Sequence, residues 1–282
     1  LDFQDLPGSS ATAQTRIEGD ELVLSHSANA PQPAVWGVEC TLAGIPRDYN
    51  VIVPGRSGIR LTRSSPRGNQ VFDWPMGWEA GLVIVEGAGH GFYAYADDPD
   101  GRYKRLEVEY RPDGWRLGLV TVNNAPWDKL TSVQSVRWRV GTYQGDWCVA
   151  ARRYRDWQQR QWTVRPLAEQ KPAWVKEVRG CVIMGLDIPT MERLATKLDP
   201  RQTMIYLPDW RTAGYDRDYP TYDQVVPQLD PFLKRAHELG FRCMLHVNYF
   251  GCDPLNPLYA QFKDKQVRSP WGNHDLEWWL WD

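Results

Sequence analysis

The stretch from Gln202 to Asp253 constrains the fold more than any other part of the chain. An apolar run, Thr203-Met204-Ile205-Tyr206-Leu207, stops at Pro208-Asp209-Trp210 and gives way to a polar loop carrying Tyr215, Asp216, Asp218, Tyr219 and Tyr222. An amphipathic run from Val225 to Leu239 closes on Gly240. A second apolar run, Phe241 to Val247, then ends in Asn248-Tyr249-Phe250-Gly251. Two runs of strand length flanking a helix long enough for a crossover predict a βαβ unit. The strands should be parallel and buried on both faces, and the connection right-handed. The polar residues follow the strands directly, at the C-terminal edge where barrels and open α/β sheets carry their sites.

The same pattern extends on both sides. Gly180 to Met184 reads as an earlier buried strand ending in Gly185-Leu186-Asp187. Pro189 suits the first turn of a helix carrying Met191, Leu194, Ala195 and Leu198, which Pro200 stops. In the next helix, Asp230-Pro231 reads as an N-cap and N1 pair, with Pro227 in a preceding turn. Leu258, Tyr259 and Phe262 give Leu255 to Val267 helical spacing, and an aromatic tail runs from Trp271 to Asp282. Residues 172–282 therefore read β-α-β-α-β-α, the first three or so βα units of a TIM-type barrel, whose complete form takes about 200 residues or more. The alternative is a small open α/β layer. The tail lacks a closing signal, and the barrel is expected to be truncated.

Residues 1–144 read as an antiparallel β-sandwich. Short apolar runs (Glu21 to Leu24, Ala34 to Val38, Tyr49 to Val53, Gly81 to Val85, Gly91 to Tyr95, Leu106 to Tyr110, Trp115 to Val122, Val133 to Val140) recur between turn signals such as Pro99-Asp100-Gly101 and Pro112-Asp113-Gly114. Many short strands at such spacing predict a sandwich or barrel. Residues 145–171 connect the two parts. Asp146 is the expected N-cap of a helix whose stripe of Trp147, Ala150, Ala151, Tyr154 and Trp157 should pack on the sandwich. A proline-containing linker from Arg165 to Val175 follows. The whole is multidomain, β plus α/β.

Charge and cysteine usage exclude several classes. A net charge of −2 gives no field to recruit nucleic acid or acidic lipid, and no apolar run reaches the ~18–20 residues of a membrane helix. The five cysteines (Cys40, Cys148, Cys181, Cys243, Cys252) show no paired spacing, which argues for buried thiols and slightly favours the cytoplasm over secretion for a soluble protein. The chain opens on Leu without a basic-then-apolar leader, as expected of a processed product or a fragment. The 15 Trp and 13 Tyr are an excess suited to covering the flat apolar faces of sugar rings, although any single indole is more often core.

The connecting helix, with Gly145-Asp146-Trp147, Ala150-Ala151 and Tyr154-Arg155-Asp156-Trp157, stands between an all-β region and a barrel-like one. With Trp78-Glu79, Phe92-Tyr93 and Asp97-Asp98 before it, and Ile205 to Trp210 and His246-Val247-Asn248-Tyr249 after it, the chain resembles a bacterial group of glycoside hydrolases. Alpha-galactosidase-like enzymes and endo-alpha-N-acetylgalactosaminidases have this architecture. The resemblance spans nearly the whole chain, is architectural and lacks a single diagnostic motif. It implies an O-glycosyl hydrolase acting on an oligo- or polysaccharide, with a sandwich supporting a barrel and two catalytic carboxylates from later barrel strands. This sequence ends before those strands, so no carboxylate pair of the spacing glycosidases need can be assigned. The expected chain is then an N-terminal portion, inactive alone and completed by a missing C-terminal segment or a second chain.

The substrate-binding candidates are Asp209, Trp210, Asp216, His246, Asn248 and Tyr249. A carboxylate beside an indole can accept from sugar hydroxyls while the ring covers an apolar face, although Asp209 could equally cap its loop. His246 and Asn248 lie two apart, on one face of a strand. Asp187 reads first as a helix cap. No metal or cofactor is expected. His246, Asn248 and Asp253 lack zinc spacing, and Gly87, Gly89 and Gly91 around His90 precede no helix, which disfavours a nucleotide-dependent α/β enzyme. A non-catalytic carbohydrate-binding or structural module is the competing reading.

Overall fold

The computed structural model describes residues 7–55, 57–65, 68–124, 127–163, 165, 169, 172–248 and 251–263. The chain divides into two compact units, residues 1–164 and 165–282.

Among its described residues the first unit holds twelve strands: β1 (Ser10–Glu18), β2 (Glu21–Asn29), β3 (Gly37–Ile45), β4 (Asn50–Val53), β5 (Ile59–Leu61), β6 (Asn69–Asp73), β7 (Leu82–Glu86), β8 (His90–Asp97), β9 (Lys104–Arg111), β10 (Gly114–Val122), β11 (Ser132–Gln134) and β12 (Arg137–Gln144). They form two antiparallel sheets. One runs β1-β2-β12-β8-β7-β4-β5 with β11 also on β2, and the other runs β3-β10-β9-β6. Val51, Val83, Val85, Ala94 and Trp138 from the larger sheet meet Phe72, Leu106, Leu117 and Leu119 from the smaller, which makes the unit a β-sandwich. At its centre Trp138 stacks on Trp78, with centroids 6.2 Å apart.

The central strands of the larger sheet are covered on both faces. Leu82, Ile84, Tyr93 and Tyr95 alternate with the inward residues and pack against α1 (Trp147–Trp162) through Ala150, Tyr154 and Trp157. This explains why β7 reads as the unbroken apolar run Leu82-Val83-Ile84-Val85, with no alternation between apolar and polar. Two glycines permit close approaches on this sheet. A Cβ at Gly91 would lie 2.0 Å from the Val85 carbonyl oxygen, and one at Gly141 would lie 2.4 Å from the Tyr93 hydroxyl. The helix begins where expected, with the Asp146 carboxylate accepting from the Cys148 N–H at 2.9 Å.

Three strands carry no apolar signal strong enough to predict: β1, β5 and β6. β1 is an edge strand whose residues are exposed or half-exposed, so nothing selects an apolar alternation. The expected strand Val133 to Val140 is two, β11 and β12. They break at Ser135, whose Oγ donates to the Val136 carbonyl and accepts from the His26 N–H. The run predicted from Ala34 starts only at Gly37, because Ala34 has a left-handed φ of 88°.

In the second unit β13 (Gly180–Ile183), β14 (Thr203–Leu207) and β15 (Arg242–Leu245) form a parallel sheet in sequence order. Helices α2 (Ile188–Ala195) and α3 (Leu229–Leu239) supply its buried layer. Ile205 and Leu207 point into a core with Met191, Leu229, Phe232, Ala236 and Phe241. The alternate residues lie on the other face. There Ile183 is 69% and Met244 42% exposed, and Cys181 is exposed as well. Cys181 is thus no core thiol. Cys243 is the half-buried one, its thiol pushed up to about 11 by burial.

Helix boundaries depart from expectation for local reasons. α3 starts at Leu229 after Gln228, which makes no side-chain cap, and Asp230 falls inside the first turn instead of capping it. Val225 and Val226 are held elsewhere, in a bridge to Arg211 and a hydrogen bond from the Val226 N–H to the Trp210 carbonyl at 3.1 Å. α2 ends at Ala195, with Leu198 in a closing turn on Leu194. Of the helix expected over Leu255 to Val267, α4 (Tyr259–Phe262) is described; residues 264–282, the aromatic tail included, lie outside the described residues. No helix among the described residues is long and apolar enough to cross a membrane.

Candidate functional site

The residues singled out in the sequence gather beyond the C-terminal ends of β14 and β15. Parallel pairing continues one step past β15, where the His246 N–H donates to the Leu207 carbonyl at 3.0 Å. This sets His246 beside the end of β14, where its ring nitrogen Nδ1 hydrogen-bonds the Tyr206 hydroxyl. Nε2 of the same ring faces Asp216 Oδ1 at 3.5 Å and is buried without a well-formed hydrogen bond. Three tyrosine rings surround the imidazole: Tyr206 at 5.8 Å, Tyr215 at 4.9 Å and Tyr219 at 6.4 Å.

The loop between β14 and α3 presents these groups by folding back on itself. Arg211 is its anchor. The side chain is buried, donates to the carbonyls of Thr221, Gly214 and Arg217, and lies over the rings of Tyr219 and Tyr222. The enclosed guanidinium thus has its donors met by oxygens and its faces by π-systems. Asp216 and Asp218 both adopt left-handed backbone, with φ of 54° and 55°, a conformation that aspartate tolerates better than most residues. From there Asp216 Oδ1 accepts from the Tyr219 hydroxyl at 3.2 Å. Burial first, and then the Asp216 charge, push that phenol up to about 12. The Tyr206 phenol is raised as well, chiefly by burial and then by Tyr215 and Asp216.

The segment after β15 braces this loop. Asp253 accepts from the Asp218 N–H at 2.7 Å, and the Asn256 amide donates to Asp218 Oδ1 and Thr221 Oγ1. Both residues are buried. Asp253 and Asn256 thus tie the segment after β15 to the loop after β14.

The six candidates fare differently. Asp209 is exposed, and its Oδ1 accepts from the Tyr215 N–H at 2.8 Å, so it holds its own loop and still faces solvent. Asp216 and His246 stand together. Asn248 is buried, and its Oδ1 accepts from the Gly251 N–H at 2.8 Å, which fixes the turn after β15. Trp210 departs from the sugar-platform expectation: its indole is 6% exposed, stacks on Tyr222 and donates to the His246 carbonyl at 2.8 Å. The open aromatic is Tyr215, 49% exposed. Tyr249 lies outside the described residues. Asp187 caps α2, accepting from the Thr190 N–H, as its position before Pro189 indicated.

Sequence reasoning passed over Tyr206, counted as one more apolar residue of its strand. Its alternation with Ile205 and Leu207 is the signal that puts it on the sheet's other face. Arg211 and Asn256 had no signal, since their roles are to bind backbone far along the chain. Chemically the edge offers carboxylate, phenol and imidazole groups around one aromatic-lined spot, a set suited to binding hydroxyls. Among the described residues no three His, Cys, Asp or Glu side chains come together as metal ligands.

A family model described as a domain of unknown function, DUF6259, matches residues 134–271. No curated protein matches the sequence. Among solved structures, the chain is similar to the alpha-N-acetylgalactosaminidase NagBb from Bifidobacterium bifidum in its GalNAc complex, with TM-score 0.68 and 13% identity over 94% of this chain and 54% of that one. The ligand-free form of the same protein gives TM-score 0.64 and 12% identity, over 88% of this chain and 52% of that one. An alpha-galactosidase from Lactobacillus brevis gives TM-score 0.46 and 12% identity, over 95% of this chain and 40% of that one. The chain thus spans about half the length of the NagBb structures and has a glycosidase-related fold.

Proposed function

We propose that this chain is the N-terminal portion of a glycoside hydrolase acting on O-glycosidic bonds of an oligo- or polysaccharide. Its second unit forms the first three βα units of a (β/α)8 barrel, and its first unit is the supporting sandwich. The reading rests on the convergence of Tyr206, Asp209, Asp216 and His246 beyond the C-terminal ends of adjacent parallel strands. That is where barrels bind and transform substrates. The exposed apolar face of the same sheet supports it too. Ile183 and Met244 lie where a closed barrel would bury side chains, and further strands from a longer polypeptide or a second chain would cover them.

In this proposal Asp209, Asp216 and His246 bind sugar hydroxyls, Tyr215 offers the open ring, and Asn248 and Trp210 hold the frame. The catalytic carboxylate pair belongs to later strands, so the 282-residue chain binds sugar without cleaving it. The test is ligand-observed NMR with galactose, N-acetylgalactosamine and glucose, alongside hydrolysis assays on aryl α-glycosides. Binding of at least one sugar, abolished by Asp209→Ala and accompanied by no turnover, is expected. Absence of any sugar binding would refute the saccharide reading, and turnover that survives purification would refute the division of labour.

A further inference from the structure

By its helical spacing Trp147 belongs to the stripe that packs α1 on the sandwich. The residues that pack are Ala150, Tyr154 and Trp157, and Trp147 is left 40% exposed. It lines a groove of about 440 Å³ between α1 and the β4-β5 edge of the larger sheet. Ile52, Leu82 and Ile84 give this groove an apolar floor. Ser57 and Arg60 line it on the β5 side, and Arg155 and Gln158 on the helix side. One carboxylate fixes both walls. Glu86 ends β7 with its side chain 14% exposed, pairs through Oε2 with Arg60, and accepts on Oε1 from the Trp147 N–H at 3.4 Å. The groove is thus built before any ligand arrives. A preformed cleft with an apolar body and a few polar groups at its edge is the usual form of a small-molecule site, at about 300–1,000 Å³.

The groups around the groove narrow its occupant. A wholly apolar guest would cover the donors of Arg155 and Gln158 without giving them acceptors. An anion gains little from the two guanidiniums, because each already has a carboxylate beside it: Glu86 at Arg60, and Asp156 at Arg155, 3.2 Å away. A neutral ring with one apolar face and an edge of hydroxyls meets both demands. Its face covers the indole and the floor, and its hydroxyls donate to and accept from the Gln158 amide and the Ser57 hydroxyl. We propose that this groove is a second, non-catalytic saccharide site, which holds a neutral oligosaccharide of two or more units with Trp147 as its platform. The inference rests on the saccharide reading and places a site on the sandwich unit, separate from the rim of the parallel sheet.

The test is 19F NMR of the whole chain labelled with 5-fluorotryptophan, the Trp147 signal being assigned by its loss in Trp147→Phe. The probes are lactose, maltose and cellobiose. At least one should move the Trp147 signal, and should do so equally in Asp209→Ala, where the rim is disabled. In that background Trp147→Ala should weaken the disaccharide about three- to tenfold, the worth of one ring contact. Gln158→Ala, which leaves the indole in place, should weaken it by a similar factor, the worth of one hydrogen bond. Thermal unfolding checks that each variant folds, and Gln158→Ala decides alone if Trp147→Ala does not. Should no disaccharide move the Trp147 signal while Asp209-dependent binding of a monosaccharide is seen, the proposal falls and the saccharide reading stands. Disaccharide affinity unchanged in every folded variant, or a Trp147 signal that moves with p-cresol and with no sugar, also overturns the proposal alone. Failure of every sugar to bind anywhere overturns both.

Discussion

Replacing Trp157 by Phe should cost far more than its conservative chemistry suggests. Trp157 is 3% exposed, and its indole N–H donates to Asp97 Oδ1 at 2.8 Å. The Asp97 side chain is itself buried and accepts on Oδ2 from Arg139 and Arg137, each at 2.8 Å. Phenylalanine keeps most of the ring contact with Tyr95 and Tyr154 but leaves Oδ1 of a buried carboxylate without its donor. A hydrogen bond to a charged group is worth about 1.5–3 kcal/mol, and the smaller ring adds about 1 kcal/mol of lost packing. A loss of about 3 kcal/mol raises the opening equilibrium of the α1 layer roughly 100-fold. Hydrogen exchange followed by mass spectrometry reads this directly in peptides covering α1, β7 and β8, with peptides of the second unit as internal control. A Trp157→Phe/Asp97→Asn double-mutant cycle should return a coupling of about 1–2 kcal/mol. If Trp157→Phe shifts protection of α1 by less than about 0.5 kcal/mol, the range of an inconsequential surface change, the account of this hydrogen bond is wrong.

Asp146→Ala should cost about 1 kcal/mol, seen as faster exchange of the first α1 amides with the sandwich strands unaffected. Arg211→Met strips donors from three carbonyls and should destabilise the second unit by about 2–4 kcal/mol, with limited proteolysis then cutting within residues 211–222 where wild type resists. Burial holds the His26 imidazole below its ordinary 6.5, so on acidification the unfolded chain takes up the proton first. His26 therefore contributes stability that is full above pH 6.5 and is lost as pH falls through that value toward the folded-state one. The urea midpoint of wild type should drop across this window more than that of His26→Leu, and parallel curves for the two proteins would contradict the assignment.

How much of the molecule could be read beforehand depended on whether a residue's role is local. The parallel sheet was legible, because apolar runs ending at Pro208 and Asn248 and a helix ending at Gly240 carry their signals within a few residues. The Asp146 and Asp187 caps were legible for the same reason. The start of α3 was not, since Val225 and Val226 pair with Arg211 and Trp210 across a loop, and that competition outweighs the Asp-Pro signal. In the site, residue types were readable but allegiances were not. Asp209 and Asn248 each bind a backbone N–H near them, and Trp210 turns inward, its indole N–H meeting the His246 carbonyl. Edge strands such as β1 stayed invisible because solvent on both sides imposes no pattern.

The strand covered on both faces has a further consequence. In most sheets a one-residue slip would throw oily side chains into water, and that penalty alone keeps neighbouring strands aligned. β7 has no such safeguard, because Leu82 and Ile84 could trade places with Val83 and Val85 and remain dry. Alignment must then be enforced by shape. Gly91 acts as a notch that admits the Val85 carbonyl of β7, and Gly141 does the same for the Tyr93 hydroxyl between β12 and β8. A methyl group at Gly91 would collide with that carbonyl, so the native alignment of β7 on β8 depends on a residue that has no side chain.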